Sequence, residues 1–133
     1  MKKVMVFGTF DIFHPGHKNF LKQAKIYGDY LIAVIARDKT VLKVKNNLPR
    51  NNERSRLNAI KKFSFVDEVI LGNLGDKYKI IKENKPDVIC LGYDQKFFID
   101  KLKEKLKEFK LNNTVIIKMK PYHPEIYKSS KYI

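Results

Sequence analysis

The chain of 133 residues is poor in cysteine, histidine and acidic side chains, and it has no long apolar run. Its one cysteine, Cys90, has no intramolecular partner, so no disulfide framework is possible, and its place in the run VICLG reads as a buried core thiol. The longest apolar stretch, LIAVIA at 31–36, is far short of the roughly 20 residues that cross a bilayer. The basic start MKKVMVFGTFD carries no small-residue cleavage site of a signal peptide, so a cytoplasmic protein with no membrane partner is expected. Without secretion, the sequon-like Asn112-Asn113-Thr114 carries no weight. Internal repeats, low-complexity linkers and domain boundaries are also missing, and 1–133 reads as one domain. Acidic residues number 14 against 28 basic ones, a net charge of +14. Such a field concentrates anions, whether nucleic acid, a phospholipid surface or small phosphorylated substrates. The lysines of KLKEKLKEFK read equally as the solvated face of a helix.

Apolar runs of strand length alternate with segments of helical period, the signature of a parallel sheet covered by helices on both faces. Strands are expected at Lys3 to Phe7, Tyr30 to Ala36, Glu68 to Leu71, Asp87 to Leu91 and Thr114 to Met119. A first helix opens near Pro15, where a missing amide hydrogen leaves nothing unbonded, carries His17, Phe20, Leu21 and Ala24 on one stripe, and ends by Gly28. A second, capped by Asn52, turns Leu57, Ile60 and Phe63 inward. A third covers Lys77 to Asn84 and stops before Pro86, and a fourth, Ile99 to Phe109, buries Ile99, Leu102, Leu106 and Phe109. The polar, basic stretch Asp38 to Asn51, which holds Pro49, is expected to be a loop. The fold class is α/β, a Rossmann-like doubly wound sheet of parallel strands in the expected order 3-2-1-4-5.

The first strand exits into GTFD and the fourth into LGYD, and open α/β sheets bind ligands at that carboxyl edge. In GTFDIFHPGH, 8–17, two of the three histidines flank a Pro-Gly pair at the start of the first helix. The free amides and positive dipole end of that helix form an anion site, and Gly16 has no side chain to hold a phosphate away. His14 lies just outside the first turn and His17 within it, so both imidazoles can donate to one bound group and strengthen as negative charge builds. Zinc is the poorer reading, because His123 is the only other histidine and catalytic zinc takes three protein ligands. A lone histidine would read evenly as a packing residue; two around Pro-Gly at a strand exit favour the phosphate.

GTFDIFHPGH resembles the signature of the HxGH nucleotidylyltransferases, and the resemblance covers nearly the whole chain. Within that group, LGYDQKF at 91–97, IARD at 35–38 and VDEVILG at 66–72 look most like the archaeal-type FAD synthases. The resemblance implies an in-line attack of the FMN phosphate on the α-phosphorus of ATP, giving FAD and pyrophosphate, with Mg²⁺ accompanying the triphosphate. Carried over by position, Thr9 and Phe10 would hold the nucleotide, His14, Pro15, Gly16 and His17 the triphosphate, and Asp94 the nucleoside. Asp11 would orient a basic group or brace the turn; Lys43 and Lys45 would reach the phosphates or remain solvated. Arg54, in the pair Glu53-Arg54, would bind phosphate or form a surface salt bridge. Tyr122 matches a nucleotide-contacting position, and IYKSSKYI keeps Ser129 and Ser130 of the family's hydroxyl run, with Lys128 where a hydroxyl is common. The resemblance leaves a homodimer open. Two rivals remain: a cytidylyltransferase using CTP and a small phosphomonoester such as glycerol 3-phosphate, and a basic nucleic-acid-binding module. The second lacks an aromatic-rich binding strand, and no nucleic-acid partner is expected.

Overall fold

The computed structural model describes residues 1–11, 15–92 and 96–119, with 96–100 described by backbone alone. Five strands form one sheet: β1 (Lys3–Gly8), β2 (Tyr30–Ile35), β3 (Glu68–Leu71), β4 (Val88–Leu91) and β5 (Val115–Lys118). All pairings are parallel and the order is β3-β2-β1-β4-β5, as expected from the sequence. β1 is the central strand, and Val4, Met5 and Val6 have no exposed surface.

Alternation along the buried strands divides the core into two layers. Val4, Val6, Leu31, Ala33, Ile35 and Cys90 face one side, where α1 (Pro15–Lys25) and α3 (Glu53–Lys61) supply Leu21, Ala24, Leu57 and Ile60. Met5, Ile32, Val34, Ile89 and Leu91 face the other, where α4 (Lys79–Asn84) and α5 (Lys96–Glu108) supply Ile80, Ile81, Leu102 and Leu106. A right-handed crossover puts its helix on a face set by the direction of travel along the sheet. From β1 the chain steps one way to β2 and β3, then returns past β1 to β4 and β5, so the helices change face between β1 and β4. A crevice opens there at the carboxyl edge. Burial pushes the Cys90 thiol up to about 12, in keeping with a core residue. Among the described residues no helix is long and apolar enough to cross a membrane.

The helix ends follow local chemistry. Asn52 caps α3 as expected, its Oδ1 accepting from Ser55 N at 2.8 Å. α4 starts at Lys79 rather than Lys77, because the Asp76 carboxylate takes the Tyr78 amide at 2.9 Å and holds 76–78 in a turn. It ends on Lys85 in the left-handed region, just before Pro86. One expectation is corrected: Asp38–Lys45 is a helix, α2, and not part of a loop. Asp38 supplies an acidic first turn, and Asn46, left-handed at φ 62°, returns its amide to the Leu42 carbonyl at 2.8 Å.

Candidate active site

The register Val6↔Cys90 brings the exits of β1 and β4, and with them GTFD and the start of LGYD, level at the mouth of the crevice. The chain leaves β1 through Gly8, Thr9, Phe10 and Asp11, and α1 begins at Pro15 with no acidic residue in its first turn. The first turn of α1, with Gly16 and His17 half-buried, therefore lies beside the β1 exit, and the positive end of a helix favours an anion.

Phe10 shapes this mouth from below. Its backbone is left-handed at φ 54°, unusual for an aromatic residue, and its ring is only 5% exposed. The ring meets the His17 imidazole edge to face, with centroids 5.4 Å apart and planes at 77°. It also lies over Gly8, where an added Cβ would stand 2.7 Å from Phe10 Cε2. Gly8 is thus glycine because the Phe10 ring occupies the side-chain position. The side chain of Phe10 packs in the core and braces the His17 ring.

Asp11 is 3% exposed and its bonds brace the turn. Its carboxylate accepts from the Arg50 amide at 2.7 Å, the Asn51 amide at 3.0 Å and Asn51 Nδ2 at 3.1 Å. These bonds satisfy a buried charge with fixed donors and fasten the 46–52 connection to the β1 exit.

Sequence reasoning missed the residue at the centre of this arrangement, Arg56. It is 1% exposed and donates from Nη1 to the Thr9 carbonyl at 2.8 Å, from Nε to the Asn51 carbonyl at 3.0 Å, and from Nη2 to Asp38 Oδ1 at 2.7 Å. Its signal was available: Arg56 precedes Ile60 by four residues and so shares the inward stripe of α3, where a charge requires buried partners. Asp38 and Glu53 complete the frame reciprocally, the Asp38 amide donating to Glu53 Oε1 at 2.9 Å and the Glu53 amide to Asp38 Oδ2 at 3.2 Å. Glu53 also pairs with Arg37 Nε at 3.0 Å. The heads of α2 and α3 and the exits of β1 and β2 are thereby locked together.

Glu53 forms its salt bridge with Arg37, and Arg54 stands exposed at the opening of α3. Lys43 and Lys45 are both exposed on α2. Two residues apart on a helix means about 200° of rotation, so they do not share a face, and Lys45 is the one on the side of buried Val41. Thr9 is half-buried and Pro15 exposed. His14, Asp94, Tyr122, Ser129 and Ser130 lie outside the described residues. Among the described residues no group of three metal-ligating side chains is assembled.

Residues 5–133 match the family described as cytidylyltransferase-like. A protein named FAD synthase from Pyrococcus horikoshii is 45% identical over 132 residues, which is 98% of this chain and 89% of that protein. Another of the same name from Thermococcus sibiricus is 42% identical with the same coverage of both chains. The crystal structure of a protein named for lipopolysaccharide core biosynthesis, from Thermoplasma volcanium, superposes with a TM-score of 0.80 at 44% identity, covering 92% of this chain and 98% of that one.

Proposed function

The chain belongs to the cytidylyltransferase-like family, and on that premise we propose that it is an FMN adenylyltransferase, joining ATP and FMN into FAD with release of pyrophosphate. The observation that carries this reading is the similarity, over 98% of the chain, to proteins named FAD synthase. The geometry at the β1 exit fits the same chemistry. Phosphoryl transfer of this kind needs positioning and charge stabilisation more than covalent catalysis.

In the proposed mechanism the first-turn amides of α1 hold the triphosphate, and Gly16 lets the phosphates approach the backbone. The FMN phosphate attacks the α-phosphorus; a new phosphorus–oxygen bond forms as the bond to the β-phosphate oxygen breaks, and pyrophosphate leaves. His17, its ring fixed by the Phe10 edge, donates to phosphate oxygens that gain negative charge in the transition state, with His14 as the second donor. Asp94 accepts hydrogen bonds from the nucleoside. Arg56 and Asp11 touch no phosphate in this scheme; they hold the main chain of 9–11 and 50–51 on which the mouth is built. The Asp11 carboxylate is committed to backbone and Asn51 donors, so Mg²⁺ would be held chiefly by the triphosphate itself, where it would neutralise phosphate charge. Lys45 and the C-terminal Ser129 and Ser130 would add contacts to the phosphates.

The test is a substrate panel: purified protein with Mg²⁺, either ATP or CTP, and either FMN or glycerol 3-phosphate, followed by pyrophosphate release and product chromatography. FAD from ATP and FMN is the expected product. A CMP-linked glycerol product, or silence across the panel, would overturn the reading.

A further inference from the structure

Four non-glycine residues have left-handed backbones among the described residues, and three of them sit where that conformation is ordinary: Asn46 and Lys85 end α2 and α4, and Lys110 follows α5. Phe10, at the exit of β1, is the exception. An aromatic residue keeps such a backbone only where its surroundings over-determine it. Here both of its neighbours in the chain are held. The Thr9 carbonyl accepts from Arg56 Nη1 at 2.8 Å, and the Asp11 carboxylate accepts from the amides of Arg50 and Asn51.

The two holds meet in one residue, Asn51. Its carbonyl accepts from Arg56 Nε at 3.0 Å, its amide donates to Asp11 Oδ1 at 3.0 Å, and its Nδ2 donates to the same oxygen at 3.1 Å. Thr9, Arg56, Asn51 and Asp11 thus form a chain of hydrogen bonds that Phe10 closes covalently. The Phe10 ring in turn meets the His17 imidazole, with centroids 5.4 Å apart. We infer that Asn51 is a positioning residue for the transfer reaction: by joining Asp11 to Arg56 it holds the left-handed Phe10, and through the Phe10 ring it sets the angle of the His17 imidazole. This inference rests on the function proposed above, in which His17 donates to the phosphates. Asn51 itself touches no reacting atom in this role. Unlike Asp11 and Arg56 it stands exposed, so its side chain can be removed without stranding a buried charge; Asp11 then keeps both backbone amides.

The test is a double-mutant cycle on steady-state FAD formation, comparing unmodified protein with Asn51→Ala, Phe10→Leu and the two combined. NMR of the His17 ring protons, which sense the neighbouring Phe10 ring, gives a second reading without turnover. Asn51→Ala is expected to lower kcat about fivefold, the effect of one lost positioning hydrogen bond, with KM for ATP within about twofold and the His17 ring resonances shifted. Beside Phe10→Leu, where the contact it serves is gone, the same substitution is expected to change kcat by less than about twofold. A kcat for Asn51→Ala within about twofold of the unmodified protein overturns the inference, even where Tm falls, since that is a purely structural role. A loss that persists in full beside Phe10→Leu overturns it too, as do His17 resonances that stay in place or a raised KM for ATP with kcat unmoved. Failure of the parent reading looks different: the unmodified protein itself would make no FAD.

Discussion

Arg56 Nη1 donates to the Thr9 carbonyl at 2.8 Å, across 47 residues of chain and from a side chain with almost no exposed surface. A buried guanidinium on one helix thus sets where the central strand ends, and with it the mouth that α1 opens. Removing it leaves three acceptors without their donor: the Thr9 and Asn51 carbonyls and Asp38 Oδ1.

Arg56→Met should therefore cost about 3 kcal/mol of stability, seen as a fall in Tm of roughly 10 °C, because breaking a buried pair strands its partners. Arg56→Lys should recover less than half of the loss, since one ammonium cannot span the three acceptors as the planar fork does. Calorimetry of the three proteins checks this; a lysine variant as stable as the parent would contradict it.

His17→Ala should lower kcat for FAD formation about a hundredfold or more with Tm nearly unchanged, the usual effect of removing one transition-state donor. Phe10→Leu, which keeps an apolar filler but removes the edge contact to His17, should lower kcat by about tenfold and leave KM for ATP nearly unmoved. A loss under about fivefold for His17→Ala would make this histidine a packing residue.

At the far edge of the sheet, Asp67 gives a pH-dependent check on the fold alone. The Lys25 ammonium, followed by the Leu31 amide at 2.8 Å, holds its carboxyl below the usual carboxylate value of 3.8. A depressed folded value contributes stability above the unfolded value, lost as pH falls through the folded one. Asp67→Asn should thus lower stability by about 1 kcal/mol at neutral pH, and the gap should close as the acid range is crossed. Urea unfolding at a series of pH values measures it, and a gap that stays constant into acid would contradict the assignment.

The strands were legible because each writes itself as a short apolar run, the inner three, β1, β2 and β4, being buried on both faces, and β3 matches its expected bounds, Glu68–Leu71. The strand order belonged to the Rossmann-like fold class expected from the alternation of strands and helices, and it sets the exits of β1 and β4 side by side. α2 was illegible for the converse reason: it buries only Val41, so its polar surface reads as loop. Arg56 hid among the basic residues of a chain with 28 of them, although its position on the Leu57 and Ile60 stripe distinguishes it. The role of Asp11 depends on backbone amides 39 and 40 residues away, which no local periodicity reports.

The central claim is that the amide-rich start of α1, beside His17, holds the triphosphate while FMN attacks. Co-crystallisation with Mg²⁺, FMN and an ATP analogue carrying a methylene bridge between the α- and β-phosphorus tests it most directly. The account predicts phosphate oxygens within hydrogen-bond distance of the first-turn amides of α1 and of the His17 ring, with the FMN phosphate opposite the bridging methylene. Phosphates bound elsewhere, with this mouth filled by the protein's own side chains, would contradict it.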